Sequence, residues 1–169
     1  QLVKIVRYLK AWCDNRAKKM PNGLTMTVLA CRNISYNDRD DICLRDTLKV
    51  IKSSLKTSWS CKMPTTPQDD LLENYNGDKD YFFESIDSFI DDATKAIEHE
   101  SNQLKASKLW QKHLGSYFPD GQDKDVDKQA NALAGIASTI LDGKAKLDCT
   151  GKIQANEGVS HKPHKNFGA

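Results

Sequence analysis

The stretch "DDICLRDTLKVIKSSLKT", residues 40–57, decides the fold. Leu44, Leu48, Ile51 and Leu55 recur at spacings of four, three and four. That is the period of an α-helix with one apolar face. Asp40 and Asp41 precede the stripe, where the positive end of a helix favours carboxylates, so they read as capping and charging its first turn. A helix is therefore expected from Asp40 to about Thr57.

The same period extends outward in both directions. Toward the N-terminus, Leu2, Ile5, Val6, Leu9, Trp12 and Cys13 share a face, which predicts an amphipathic helix over residues 2–18. Its basic close, Arg16, Lys18 and Lys19, suits the negative end of a helix dipole. Pro21-Asn22-Gly23 breaks the pattern, and a second helix is expected from Leu24 to about Arg32. Toward the C-terminus, Pro64 and Pro67 bar a helix, while Thr66 or Pro67 can open a short one running through Asp69, Leu71 and Leu72. Phe82, Phe83, Ile86, Phe89, Ile90, Ala93 and Ile97 lie on one stripe and predict the longest helix, residues 80–100. Leu104 to Leu114 reads as another, ended by Gly115 at the position that wants a left-handed residue.

After Pro119 the character changes. Residues 120–169 hold one aromatic, Phe167, and few large aliphatics, too little to build a core. Leu133, Ile136 and Ile140 support one amphipathic helix over 127–141, and the remainder from Asp142 is expected to be mobile. The expected fold is all-α: a helical bundle of about five or six helices over residues 1–119, followed by a mostly flexible tail over 120–169.

Composition narrows the function classes. A formal charge of +2, with both signs mixed along the chain, does not mark a general nucleic-acid binder. No apolar run approaches the ~20 residues of a membrane span. Cys13, Cys31, Cys43, Cys61 and Cys149 are spread out, odd in number and never in a CxxC pair, as expected of reduced cytoplasmic thiols. The sequence opens inside a helical pattern with neither Met nor N-cap, which reads as a piece of a longer protein.

Catalytic constellations are scarce. Asp38-Arg39-Asp40-Asp41 contains the Asp-x-Asp spacing that two-metal nucleotidyl transferases use, but no strand or Gly-Ser turn accompanies it, so helix capping is the preferred reading. Asp69-Asp70 and Asp91-Asp92 read as solvated charge, and His99 and His113 as ordinary surface residues on polar helix faces. His161 and His164 lack the cysteine or histidine partners of a tetrahedral metal site. No metal site is expected in these residues. Trp12, Trp59 and Trp110 are core candidates.

Three stretches, in order, carry a resemblance: "VRYLKAWCDN" with "MPNGLTMTVLA" in residues 6–30, "DRDDICLRDTLKVIKSSL" with "PTTPQDDLL" in residues 38–72, and "SIDSFIDDATKAIE" with "ASKLWQKHLGSYFP" in residues 85–119. Together they resemble the C-terminal helical lobe of bacterial cGAS/DncV-like nucleotidyltransferases, the cyclic-oligonucleotide synthases of antiphage defence. The first also resembles the Lys-x-Trp helix and Pro-led second helix of oligoadenylate synthetases. The resemblance implies that activity belongs to a whole protein. Its preceding catalytic lobe would carry a Gly-Ser turn and an acidic triad holding two Mg²⁺ ions, none of which lies in these residues.

The resemblance also assigns a substrate contact. Lys10 matches the family's triphosphate-contacting lysine, projecting from the helix shoulder into the cleft between lobes with its stem on Val6 and Cys13. Arg7 is placed to assist, and Lys4 less so. Asn22, Gly23 and Thr25 match the turn that opens the second helix, where the family uses amides and a hydroxyl for phosphate or sugar. The tail offers a second site. Phe167 would anchor in a narrow channel, with Gly168 and Ala169 thin enough to bring the terminal carboxylate to an activating site; the resemblance implies that this partner is an enzyme fusing E1-like and E2-like parts, which conjugates the terminus. The competing expectations are a non-enzymatic helical interaction module and a linear oligoadenylate-type polymerase lobe.

Overall fold

The computed structural model of the chain describes residues 1–65, 68–154 and 159–160. It is all-α, with α1 at Leu2–Asp14, α2 at Gly23–Asn33, α3 at Asp40–Thr57, α4 at Lys79–Thr94, α5 at Gln103–Leu114 and α6 at Val126–Leu141. A π-helical turn, Lys95–His99, follows α4. The chain divides into two units, Gln1–Lys124 and Asp125–Ala169.

The apolar stripes read from the sequence meet inside the first unit. Ile5, Leu9 and Trp12 from α1, Leu44, Leu48 and Ile51 from α3, and Phe82, Ile86 and Phe89 from α4 are all buried. Trp12 lies 5.9 Å from Phe82 and 5.6 Å from Phe89, ring centre to ring centre, so the indole sits between two turns of α4. Trp59 joins from the other side, edge-on to Phe82 at 5.6 Å. Such tilted and edge-on pairs add about 0.5–1.5 kcal/mol each beyond burial. All three tryptophans belong to the core or pack against it.

Several boundaries differ from the periodicity. The first helix ends at Asp14 rather than near residue 18. The cause is tertiary: the Asn15 amide donates to the carbonyls of Lys112 and His113 at 3.3 and 3.2 Å, and Arg16 Nη2 donates to Lys112 O at 2.8 Å. These last carbonyls of α5 have no partner within their own helix. Satisfying them from outside draws residues 15 and 16 out of helical conformation, so the basic run leaves the dipole it seemed to serve. The fourth helix is likewise interrupted. Thr94 Oγ1 donates to Ile90 O at 2.8 Å, competing with the ladder just where it widens into the π turn. At 18 residues, α3 is therefore longer than the 16-residue α4.

No helix is seen in the described part of residues 64–72, and Thr66 and Pro67 lie outside it. Instead Lys62 bridges to Asp70, and Asp70 Oδ1 accepts the amides of Cys61 and Leu72 at 2.8 and 2.9 Å. Asp70 is a loop fastener, not the solvated charge its neighbour Asp69 made it resemble. Burial works to raise its carboxyl, but hydrogen bonds from Ser60, Cys61 and Leu72 outweigh this and hold it below the ordinary value.

The first unit runs five residues beyond the expected boundary at Pro119, because residues 120–124 pack back on α5. Gly121 N donates to Ser107 Oγ at 2.9 Å, Gln103 N to Lys124 O at 3.1 Å, and Asn102 Nδ2 to Asp123 Oδ1 at 2.7 Å. Gly115 closes α5 at φ +78°, the positive-φ stop its position implied.

In the second unit α6 covers the predicted amphipathic stretch, capped by Asp125, whose carboxylate accepts from Lys128 N. Its apolar stripe is exposed, with Leu133 at 67%. Among the described residues beyond Asp142 are three two-residue strands: β1 at Lys146–Leu147, β2 at Ile153–Gln154 and β3 at Val159–Ser160. They pair antiparallel in the order β2-β1-β3. Asp148 shapes the connection from β1 to β2 by accepting from Thr150 N and Lys152 N, with Gly151 at φ +79°. Among the described residues no helix is long and apolar enough to cross a membrane.

Candidate functional site

The segment between α1 and α2 forms one wall of an open cleft of about 380 Å³. Lys10, Cys13 and Asp14 face it from the last turns of α1, Lys18 and Lys19 from the connecting segment, and Asn22 and Gly23 from the start of α2. Three lysines and one aspartate thus line it.

Each cation is placed differently. The Lys10 stem lies over Gly23, where an added Cβ would stand 3.2 Å from Lys10 Cε. The absent side chain at position 23 leaves the long methylene chain room to cross toward α2, rather than resting only on α1. Among the described residues the Lys10 ammonium meets no carboxylate. Lys18 is tethered at the cleft's edge by Asp78, the N-cap of α4, at 3.0 Å, and its ammonium lies 4.9 Å from the Tyr81 ring centre. Lys19 is bonded to Asn76, and its carbonyl accepts from the Tyr75 hydroxyl at 2.8 Å.

Asn22 N-caps α2. Its side-chain oxygen accepts from Thr25 N at 2.9 Å and from Thr25 Oγ1 at 3.1 Å. That leaves the first amides of an 11-residue helix directed outward beside the lysines. Helix N-termini of this kind favour anions.

The structure places Lys10, Asn22 and Gly23 on one cleft, together with Lys18 and Lys19. It does not bring in the other two. Thr25 is fully buried, its hydroxyl spent on the cap and its carbonyl facing Cys61 Sγ, so it offers nothing to a ligand in the cleft. Arg7 is exposed one turn earlier and does not line the cleft. Lys4 is engaged with Asp40 at 2.8 Å. Phe167, Gly168 and Ala169 lie outside the described residues, as do His161 and His164.

Lys18 and Lys19 escaped the sequence reading because a basic run at a helix end is explained by the dipole alone. The signal that marks them is their place directly before a Pro-Asn-Gly turn. The Cys13 thiol at the cleft wall is pushed up to about 12, chiefly by burial, which favours its protonated form.

Asp38, Asp40 and Asp41 lie at and just before the start of α3. The N-cap of α3 is Arg39 and makes no side-chain cap. Asp40 pairs with Lys4, and Asp41 pairs with Arg39 while accepting its neighbour's amide, Ile42 N, at 2.9 Å. They charge the first turn without capping it. Among the described residues no three His, Cys, Asp or Glu side chains are arranged to hold a metal ion.

Two residues read as surface turn out to be central. His113 is 2% exposed and Asp92 8%, with His113 Nε2 2.9 Å from Asp92 Oδ2. The same carboxylate receives Lys112 Nζ at 2.8 Å, and Lys95 stands 3.9 Å away. The His113 ring stacks flat on Phe89, 4.5 Å between centres and 9° between planes. Burial holds the imidazole below its ordinary value despite the pull of Asp92. Burial also works to raise Asp92, but the bonds from Lys112 and His113 win and leave it below the ordinary carboxylate value. The two residues sit on different helices, so no periodicity along one helix reveals the pair.

No protein-family model matches the chain.

Proposed function

We propose that this chain is the helical lobe of a cytoplasmic nucleotidyltransferase of the cyclic-oligonucleotide-synthase type, and that its cleft receives the phosphates of a nucleoside triphosphate. The observation that carries the reading is the meeting of Lys10, Lys18, Lys19, Asn22 and Gly23 around one open cleft at a helix N-terminus. Polyphosphate is the ligand class that such a set recognises: point charges from ammonium groups, with peptide amides between them. Lys10 is the cation free to bind, while Lys18 and Lys19 are held at the edge by Asp78 and Asn76. The three-part resemblance supplies the reaction class.

In this reading the lobe orients substrate and a preceding lobe performs the chemistry, with Mg²⁺ held there. Covering the cleft with that lobe would exclude water and strengthen each phosphate contact. The test is to incubate the full-length gene product with labelled nucleoside triphosphates and Mg²⁺. Product is expected from the wild type, with at least a tenfold loss in Lys10→Ala. Absence of product with every nucleotide, from folded protein, refutes the assignment. Conjugation through Phe167, Gly168 and Ala169 is part of the same proposal. Appending one residue after Ala169 should abolish conjugates and spare synthesis, and persistent conjugates would exclude it.

A second reading, a non-enzymatic interaction module, is favoured by the exposed stripe Leu133, Ile136 and Ile140 on α6. A partner that binds through this stripe, with no triphosphate binding at the cleft, would select it.

A further inference from the structure

The segment that carries Lys18 and Lys19 to the cleft is fastened to the residues that make the buried His113–Asp92 pair. Asn15 and Arg16 donate to the carbonyls of Lys112 and His113. Asp14 just before them and Lys18 just after them both line the cleft. Whatever disturbs the end of α5 therefore disturbs the anchorage of residues 15 and 16, and leaves Lys18 and Lys19 to their bonds with Asp78, Asn76 and Tyr75.

His113 is built to be disturbed by one proton. A carboxylate only accepts, so the ring proton belongs on Nε2, facing Asp92. That leaves Nδ1 buried with no hydrogen-bond partner among the described residues. A second proton from solvent would land on Nδ1, producing a buried donor with nothing to receive it. The charges facing the pair come from every element packed there: Asp92 from α4, Lys95 from the π turn, Lys112 from α5 and Arg16 from the segment after α1. One carboxylate stands against three cations, and Lys112 already occupies the oxygen that His113 uses. The flat stack on Phe89 leaves the ring little freedom to turn toward another acceptor.

We propose that His113 is a proton-operated catch on the segment after α1: charging it parts the end of α5 from Asn15 and Arg16, loosens the stretch that leads to Lys18 and Lys19 although their bonds to Asp78, Asn76 and Tyr75 remain, and weakens anion binding in the cleft. The first half stands on the geometry alone; the second rests on the reading of the cleft as an anion site. The direction of the imidazole shift agrees in sign. A histidine held below its ordinary value when closed binds its proton more readily when open, so acid favours opening. Each pH unit between the two values multiplies the open fraction about tenfold at full protonation.

The test uses the whole chain without ligand, labelled for NMR. Protection factors of the Lys18, Lys19 and Asn22 amides should fall about tenfold or more between pH 7 and pH 5, with the midpoint of the His113 ring signals and below the ordinary histidine value. His113→Gln, which can still donate to Asp92 but does not titrate, should keep the segment closed across this range. The proposal is overturned if His113 titrates at its ordinary value. It also fails if the segment opens with a different midpoint, or if His113→Gln opens just as the wild type does. Should His113→Gln fail to fold, coincidence of the two midpoints in the wild type decides the matter. Sulfate, which does not titrate here, is then added at both pH values. Opening without sulfate binding at either pH removes the reading of the cleft and leaves the catch. Sulfate binding that is equal at both pH values, in a segment that opens, refutes the second half.

Discussion

Replacing Asp92 with alanine isolates what the buried pair contributes to stability. The carboxylate is 8% exposed and holds His113 Nε2 at 2.9 Å and Lys112 Nζ at 2.8 Å. Its loss affects the two partners unequally. Lys112, 61% exposed, returns to water at little cost, as exposed ion pairs contribute only about 0–1 kcal/mol. His113, 2% exposed, keeps an Nε2–H with no acceptor, and an orphaned buried donor costs about 1–3 kcal/mol. The sum, about 1–4 kcal/mol, is centred below the ~3–5 kcal/mol lost when both charges of a pair are buried. For a unit of this size about 4 °C accompanies each kcal/mol, so the melting temperature should drop by about 4–16 °C. Lys112→Ala should cost less than about 1 kcal/mol. Circular-dichroism melts and urea titrations of the two variants check both figures. A loss below about 0.5 kcal/mol in Asp92→Ala, or an equal loss in Lys112→Ala, refutes the reasoning. The pH dependence follows from sign. Asp92 lies below the ordinary carboxylate value in the folded state, so its contribution is complete above that value and disappears as pH falls through the folded one. Asp92→Asn should therefore flatten the acid limb of the wild-type stability curve below the ordinary carboxylate value.

Three further outcomes follow from the packing. Gly121→Ala would place a Cβ 2.3 Å from Gln103 O, a backbone atom that cannot turn aside, and should cost about 1–3 kcal/mol by urea titration. Trp12→Ala empties the space between Phe82 and Phe89 and should cost about 3–5 kcal/mol, enough to leave the first unit marginal in a thermal melt. A chain ending at Lys124 should melt as the first unit does in the whole chain, within about 2 °C; one ending at Pro119 should lose stability with the bonds that residues 120–124 make to α5.

The helices with an unbroken apolar stripe were legible because their faces stay on one side of one core. The third helix begins and ends where its pattern does, from Asp40 to Thr57, and the Pro-Asn-Gly turn locates the start of the second. Errors lie where distant segments decide. Asn15 and Arg16 leave the helix to satisfy carbonyls almost a hundred residues away, which no local pattern encodes. Asp92 and His113 each look like polar surface on their own helix and are buried only because the two helices meet. At the cleft, Lys10, Asn22 and Gly23 were legible as a helix shoulder and a turn. The burial of Thr25 was not, because a threonine three residues after an N-cap asparagine can face either way until the Cys61 loop covers it.

The central claim is that Lys10 and its neighbours bind polyphosphate. Titration calorimetry of ATP into the chain at neutral pH and low salt, comparing wild type with Lys10→Ala, tests it most directly. A charge-assisted bond of about 1.5–3 kcal/mol corresponds to an affinity roughly 10- to 100-fold weaker in the variant, with the melting temperature unchanged because Lys10 is exposed. Equal affinity in two equally stable proteins, or no binding by the wild type, would contradict it.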